Sequence, residues 1–357
     1  MTTLALRSRA ANAESPRQRV ADDKAMLRAA ADLTRDLHAA RPVVYWSDML
    51  GSAALGYLAL AGAVALPGAW AVPAGVVAVL ALYRASLFIH EISHMKHSAV
   101  PGFKAGWNAV IGVPLLAPSF TYEGVHTLHH ARTRYGTVDD PEYLPLALMK
   151  PWTVPLFVLV AALAPLGFLI RYALLTPLSF VVPGLRRVVV ERFSSLAINP
   201  QFRRRAPEGA AAREMLSLEL LSSAWAITLL ALLATGVVPF EAFVVFLAVL
   251  SALMVLNQVR TLVAHLWENE GEAMSVTAQY LDSVNVPPPS LLPALWAPVG
   301  LRYHALHHLL PGVPYHSLGE AHRRLSQAVE DHSPYHRASY DGLPRLMRRL
   351  VRSTLAR

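Results

Sequence analysis

Tyr303-His304-Ala305-Leu306-His307-His308, near the end of the chain, carries a His-x-x-His-His box. The same box occurs earlier as His126-Thr127-Leu128-His129-His130, and a third group, His90-Glu91-Ile92-Ser93-His94, precedes both. Residues three and four positions apart share one face of a helix, so each box is predicted to project its histidines together. The rest of the chain is interpreted as a scaffold that brings the three boxes into one site.

The residue types in these boxes indicate a metal site. Neutral imidazole binds zinc, copper, iron and nickel, and one first-row ion takes about four to six ligands. The boxes supply eight of the 15 histidines, which are too many for one ion and therefore predict two: His90, His94, His126, His129, His130, His304, His307 and His308. His265 follows the last predicted membrane-spanning run of the sequence, on the side of the membrane where the three boxes are predicted to lie. It is therefore predicted as a ninth ligand.

Other polar residues near the boxes are candidates to contact the ligating imidazoles. A carboxylate can orient such a ring through its second N–H, which makes Asp139, Asp140 and Glu142 candidates, although Asp140-Pro141 is also typical of a loop turn. His97 and His316 are further candidates because they lie just after the first and third boxes.

The composition indicates a membrane protein. The 357 residues are 54% hydrophobic and only 16% charged, whereas a soluble domain carries about 25% charged residues. Cysteine is absent, which excludes disulfides, thiolate metal ligands and thiol nucleophiles. A net charge of +8 could indicate nucleic acid, but the placement of the basic residues favours a membrane orientation instead.

Apolar runs predict an all-α membrane protein with four transmembrane helices in two hairpins and a cytoplasmic helical cap that carries the His boxes. Each run approaches the length needed to cross about 30 Å of hydrocarbon. The predicted spans are about 49–67, 70–89, 215–238 and 240–259. Residues 151–182 are also apolar, but prolines and Arg171 interrupt them, so they are predicted to form membrane-surface helices.

The predicted organisation has three parts. Residues 1–47 form a cytoplasmic leader and helix, residues 48–330 the membrane domain, and residues 331–357 a basic amphipathic tail. All 32 lysines and arginines lie outside the hairpin turns around Pro67 and Pro239. The positive-inside rule therefore places both termini and all three boxes in the cytoplasm, and the expected location is a bacterial inner membrane.

These residues resemble the membrane fatty acid desaturase family over about residues 40–330. The resemblance rests on the order of the three boxes, the hairpins between them, and the segment from Tyr303 to His316. Thr261 stands where stearoyl-CoA-type members have an Asn before the ninth histidine. The resemblance implies two non-haem iron ions at the cytoplasmic surface, O₂ activation, and a fatty acyl substrate. It also implies a separate electron donor such as a ferredoxin or cytochrome b5.

The expected function is an O₂-dependent acyl desaturase, which Tyr315-His316 after the third box favours. A related hydroxylase or ketolase acting on an alkane, carotenoid or sphingolipid is the alternative, and the product distinguishes the two. His90-Glu91-Ile92-Ser93-His94 also matches the His-Glu-x-x-His signature of zinc proteases, which would use one zinc and not depend on His304. A receptor without catalytic activity is a further alternative.

Overall fold

The computed structural model describes residues 20–356, and within this range the chain is helical with no strand. Residues 1–19 of the predicted leader and the last residue of the tail lie outside it. The helices are α1 Lys24–Leu33, α2 Pro42–Ala65, α3 Ala71–Ser86, α4 Phe88–His94, α5 Phe103–Trp107, α6 His126–His129, α7 Thr153–Leu169, α8 Thr176–Val181, α9 Pro183–Phe193, α10 Gly209–Ala234, α11 Phe240–Leu262, α12 Val276–Asp282, α13 Pro293–Trp296, α14 His304–Leu309, α15 Leu318–Ala328 and α16 Leu343–Leu355.

Five helical segments in the described part are long and apolar enough to cross a membrane, one more than the sequence predicts. They are Pro42–Ala65, Gly68–His94, Thr153–Val181, Gly209–Ala234 and Phe240–Leu262. The first two pack as a hairpin, and Gly56 permits their close approach because a Cβ there would lie 2.7 Å from Leu82 Cγ. Helix α11 packs against α3 and α7.

The segment Thr153–Val181, predicted to form membrane-surface helices, is one nearly continuous helical segment that is long and apolar enough to cross a membrane. Pro155 lies in the first turn of α7, where a backbone N–H has no helical partner to lose. Pro177 is the second residue of α8. Pro165 lies inside α7, and a π-helical stretch at Ile170–Leu175 joins α7 to α8. The helical segment thus continues through Pro165 and Pro177.

Both ends of the segment that contains α7, α8 and α9 contact chain segments next to predicted metal ligands, since Trp267 follows His265 by two residues and Thr121 precedes His126 by five. Before it, Ala147 N–H donates to Trp267 O at 3.3 Å; after it, Leu196 N–H donates to Thr121 O at 2.8 Å. In its middle, Ser251 Oγ of α11 donates to Ala162 O at 2.8 Å. The segment thus leaves this region, packs beside α11, and comes back.

A second layer of short helices covers the ends of the long ones. Its core contains buried side chains such as Met26, Tyr280, Leu306 and Tyr335, drawn from α1, α12, α14 and the loop after α15. The basic amphipathic tail forms α16, which buries Leu346 and Leu350 against the protein and leaves its arginines on the outer face. This layer holds the third box against the first two.

Candidate metal centre

Each His box lies on or beside a short helical turn. His90 lies in the first turn of α4, which ends at His94; the second box occupies α6 and its C-cap, and the third box begins α14. His265 follows the end of α11 by three residues. The 3.6-residue period turns the histidines of each box to one side, and the fold points those sides at one another.

The structure brings all nine predicted histidines together in two groups. Within a group, one ligand atom from each residue lies within 4.8 Å of every other. One group contains His90, His94, His126, His130 and His307, and the other contains His129, His265, His304 and His308. Residues from all three boxes therefore meet, and each group has the number of ligands that one first-row ion takes.

The geometry of the imidazoles fits two metal ions. Pairs of Nε2 atoms face each other at 3.0 Å in His126–His130 and 3.0 Å in His265–His304. Two nitrogens bound at right angles to one ion, each at about 2.1 Å, would be about 3.0 Å apart. Both ring nitrogens of His90 are buried without a hydrogen-bond partner. A cation between these lone pairs would satisfy them and remove their repulsion.

The protein keeps these rings in the form that binds metal. Burial, with nearby imidazoles and other positive groups, lowers the pKa well below its usual value at His126, His130, His265, His304, His307 and His308. A neutral imidazole offers a lone pair, whereas a protonated one cannot coordinate. At His129 burial acts in the same direction, but Asp140 outweighs it and the pKa is raised.

Two carboxylates orient the second box. His126 Nδ1 lies 2.8 Å from Glu142 Oε1, and His129 Nδ1 lies 2.9 Å from Asp140 Oδ2. When the Nδ1–H is donated to a carboxylate, the Nε2 lone pair is free to face the other histidines of the group. This arrangement is typical of ligating histidines. Tyr122 O–H also donates to Glu142 at 2.9 Å. Burial raises the pKa of Glu142 to about 7.

The neighbouring acids Asp139 and Asp140 have different environments. Asp140 is fully buried and also accepts from the backbone N–H groups of Gly136 and Glu142, each at 2.8 Å. The carboxylate therefore lies within a turn and also contacts His129 of the second histidine group. Asp139 is exposed, and its backbone N–H contacts Thr137.

Sequence reasoning missed the network behind His265. Tyr135 O–H donates to Asp282 Oδ2 at 2.9 Å, and its oxygen lies 2.8 Å from His265 Nδ1. Tyr143 O–H also donates to Asp282 at 2.9 Å, and Ser283 Oγ lies 3.2 Å from His265 Nδ1. No motif marks these residues, because 147 positions separate Tyr135 from Asp282.

His97 and His316 lie outside both groups. The His97 side chain is 61% exposed, and its Nε2 lies 3.8 Å from the Glu123 carboxylate. His316 Nε2 accepts from the Arg41 backbone N–H at 3.2 Å, and its Nδ1 lies 3.0 Å from Ser317 Oγ. His316 thus joins the segment after the third box to the start of α2.

Glu91, the base in the zinc-protease alternative, is engaged in the scaffold. Tyr45 O–H donates a very short hydrogen bond to its carboxylate, and the Tyr315 backbone N–H donates a second at 3.1 Å. Tyr315 O–H in turn donates to Asp48 at 2.9 Å. These contacts fix the segment after the third box against the first box and α2.

Comparisons with known proteins agree with this arrangement. The family model described as fatty acid desaturase matches residues 67–340, which include all three boxes and His265. A ceramide hydroxylase from Caulobacter vibrioides (strain NA1000 / CB15N) is 47% identical over 328 residues, covering 91% of this chain and 93% of the relative. No solved structure matches the chain.

Proposed function

Since the chain belongs to the fatty acid desaturase family of membrane di-iron enzymes, we propose that it is an O₂-dependent hydroxylase of a ceramide-type lipid. The observation that carries this choice is the similarity to a ceramide hydroxylase, which is 47% identical along nearly the whole of both chains. The family and the oxidoreductase class are confirmed. The preference for a desaturase is replaced by the alternative that the sequence had left open.

The feature that favoured a desaturase has a structural role here. Tyr315 contacts Glu91 and Asp48, and His316 contacts Arg41 and Ser317. These contacts hold the segment after the third box in place, so its presence does not by itself favour a double bond over a hydroxyl group. Desaturation of an acyl chain remains the second candidate, because the matched family is named for it.

We propose that the nine clustered histidines hold two iron ions, five ligands in one group and four in the other. When bound, the iron pair would supply the oxidising power that activates O₂ against an unactivated C–H bond. Asp140, Glu142 and Tyr135 fix the orientation of the ligating rings. Six of the nine rings are buried and the other three are partly buried, so the protein would shield much of the centre from water.

The proposed reaction replaces one C–H bond of the lipid by C–OH. One atom of O₂ enters that bond and the other leaves as water, so the reaction consumes two electrons and two protons. The chain contains no cysteine to hold an iron–sulfur cluster. A separate redox protein, such as a ferredoxin or cytochrome b5, would therefore supply the electrons, as the family resemblance implies.

We further propose that four of the five apolar segments cross the membrane and that Thr153–Val181 is re-entrant. The hydrogen bonds of Ala147 to the loop after His265, and of Leu196 to the loop before the second box, support a return to the same side. With four crossings, both termini and the metal centre share the cytoplasmic face, as the distribution of basic residues predicts. Residues 48–330 would then form the membrane domain of an inner-membrane protein.

Lipid analysis tests this function. The chain would be expressed in an aerobic, ceramide-producing host with a ferredoxin system, beside a His307→Ala control. We expect a ceramide that is one oxygen atom heavier, absent from the control. A product that is two hydrogen atoms lighter would establish the desaturase instead. A ceramide profile identical to the control, in cells where the protein contains iron, would contradict the proposed substrate.

A further inference from the structure

A groove of about 560 Å³ lies beside the metal centre, between residues 95–113 and the first half of α10. Val100, Phe103 and Val113 line one side, and Leu218 and Leu221 line the other. Its lining is predominantly apolar, and Leu221 is 56% exposed. None of the nine clustered histidines lines this groove.

One end of the groove is polar. Lys104 Nζ lies 2.5 Å from Glu214 Oε1 and 2.8 Å from Glu123 Oε2, so the cation joins α5 to α10 and to the loop before the second box. The Glu214 side chain is 46% exposed, and Ser217 lies beside it in the lining. Hydroxyl and amide groups of a ligand could exchange hydrogen bonds with these residues.

The polarity changes along the axis of α10. Glu214 lies one turn from Leu218 and seven residues from Leu221, which is about 10 Å along the helix. On the facing wall, Lys104 and the buried Asn108 are followed by Ala109 and Val113. A groove with a polar end and an apolar end of this length matches an amphipathic lipid that lies parallel to α10.

The polar end is next to the metal centre. Met95 lines the groove and directly follows His94, a member of the first histidine group. Glu123, which pairs with Lys104, precedes His126 by three residues. A lipid in the groove would therefore have its head beside the loops that carry the first and second boxes.

We propose that this lateral groove is the site through which the substrate enters from the bilayer. The hydroxyl and amide groups of a ceramide-type head bind at Glu214 and Lys104, and one hydrocarbon chain lies along Ala109, Val113, Leu218 and Leu221. The assignment of the ligand rests on the proposed function. The groove itself is defined by the side chains that line it.

Bulky substitutions test the groove from both walls. Ala109→Trp and Leu221→Trp place an indole in it, and both positions are exposed, so neither change disturbs a packed core. Leu220→Trp is the matched control, because Leu220 is 48% exposed on the same helix but outside the lining. We expect hydroxylated ceramide to fall at least about tenfold in both groove variants, with the iron content and the control unchanged.

A photoreactive ceramide with a diazirine in its hydrocarbon chain supplies a readout that does not depend on turnover. In bilayer nanodiscs, we expect cross-linked peptides from residues 109–113 and 217–221, and loss of these cross-links in Leu221→Trp. Full activity in both groove variants would contradict the assignment of the groove as the substrate entry site, but would leave the proposed hydroxylase function unaffected. A wild-type protein that makes no hydroxylated ceramide would contradict the proposed function. Cross-links outside the groove would contradict the groove as the entry site.

Discussion

The Nε2 atoms of His265 and His304 lie 3.0 Å apart, although 39 positions separate the two residues in the chain. His265 follows α11, whereas His304 begins α14 in the helical layer that covers the long helices. This contact joins the end of α11 to that layer. A single histidine outside the three boxes therefore completes the second group.

The position of His265 predicts that its loss affects metal binding. His265→Ala leaves three histidines in the second group, so we expect lower iron content and no hydroxylated product. Metal analysis and product assay of the purified variant check this outcome. His332→Ala is the control because that side chain is 84% exposed. Wild-type iron content in His265→Ala would contradict its assignment as a ligand.

The adjacent acids Asp139 and Asp140, which follow the second box, provide a matched pair of substitutions. Asp140→Asn removes the carboxylate that holds His129 Nδ1, and we expect iron affinity to fall by about 10- to 100-fold. Asp139→Asn alters an exposed side chain at the next position and is expected to leave affinity unchanged. Competition with a chelator measures both. Equal affinities in the two variants would show that the Asp140–His129 contact does not support the metal.

A buried ion pair predicts a large effect on stability. Glu219 is fully buried and lies 2.6 Å from Arg171 Nη2 and 2.8 Å from Arg186 Nη2. Glu219→Ala leaves the buried Arg171 without its counterion, so we expect the free energy of unfolding to fall by about 3–5 kcal/mol. Thermal unfolding in detergent checks the direction and approximate size.

The control for this experiment is an exposed ion pair. Arg35 and Asp32 are 80% and 68% exposed, and Asp32→Ala is expected to change stability by no more than about 1 kcal/mol. If Glu219→Ala and Asp32→Ala unfold at the same temperature, the buried Glu219 ion pair does not stabilise the protein.

The absence of cysteine permits a direct test of topology. Single cysteines at Lys150 and Arg205 flank the segment that contains α7, and both positions are exposed. We expect a membrane-impermeant maleimide to label both from the cytoplasmic side, and to label Val237→Cys, in the hairpin turn, only from the other side. Labelling of Lys150→Cys and Arg205→Cys from opposite sides would show that the segment crosses the membrane.

The local spacing of the histidines was sufficient to predict that the histidines within each box lie close together. Histidines at positions i, i+3 and i+4 share a face of any short helix, so the clustering inside each box does not depend on the rest of the fold. The all-helical class and the family are also confirmed, since they depend on composition and on the order of the boxes.

Features that depend on tertiary contacts could not be predicted in the same way. The Tyr135–Asp282 contact joins residues 147 positions apart, and neither residue belongs to a motif. Asp139 and Asp140 are identical in type and adjacent, so only the fold of the turn determines which one contacts His129. Prolines suggested helix breaks in Thr153–Val181. In the structure, Pro155 lies in the first turn of α7, and the π-helical stretch at Ile170–Leu175 connects α7 to α8 without a break.

The central claim is oxygen insertion into a ceramide-type lipid at the histidine-ligated metal centre. The most direct test incubates the purified, iron-loaded protein with ceramide, a reduced ferredoxin and isotopically labelled O₂, and measures the product by mass spectrometry. We predict one labelled oxygen atom in the ceramide, and none with His307→Ala. A ceramide that has lost two hydrogen atoms and gained no label would contradict the account, because the same centre would then be a desaturase.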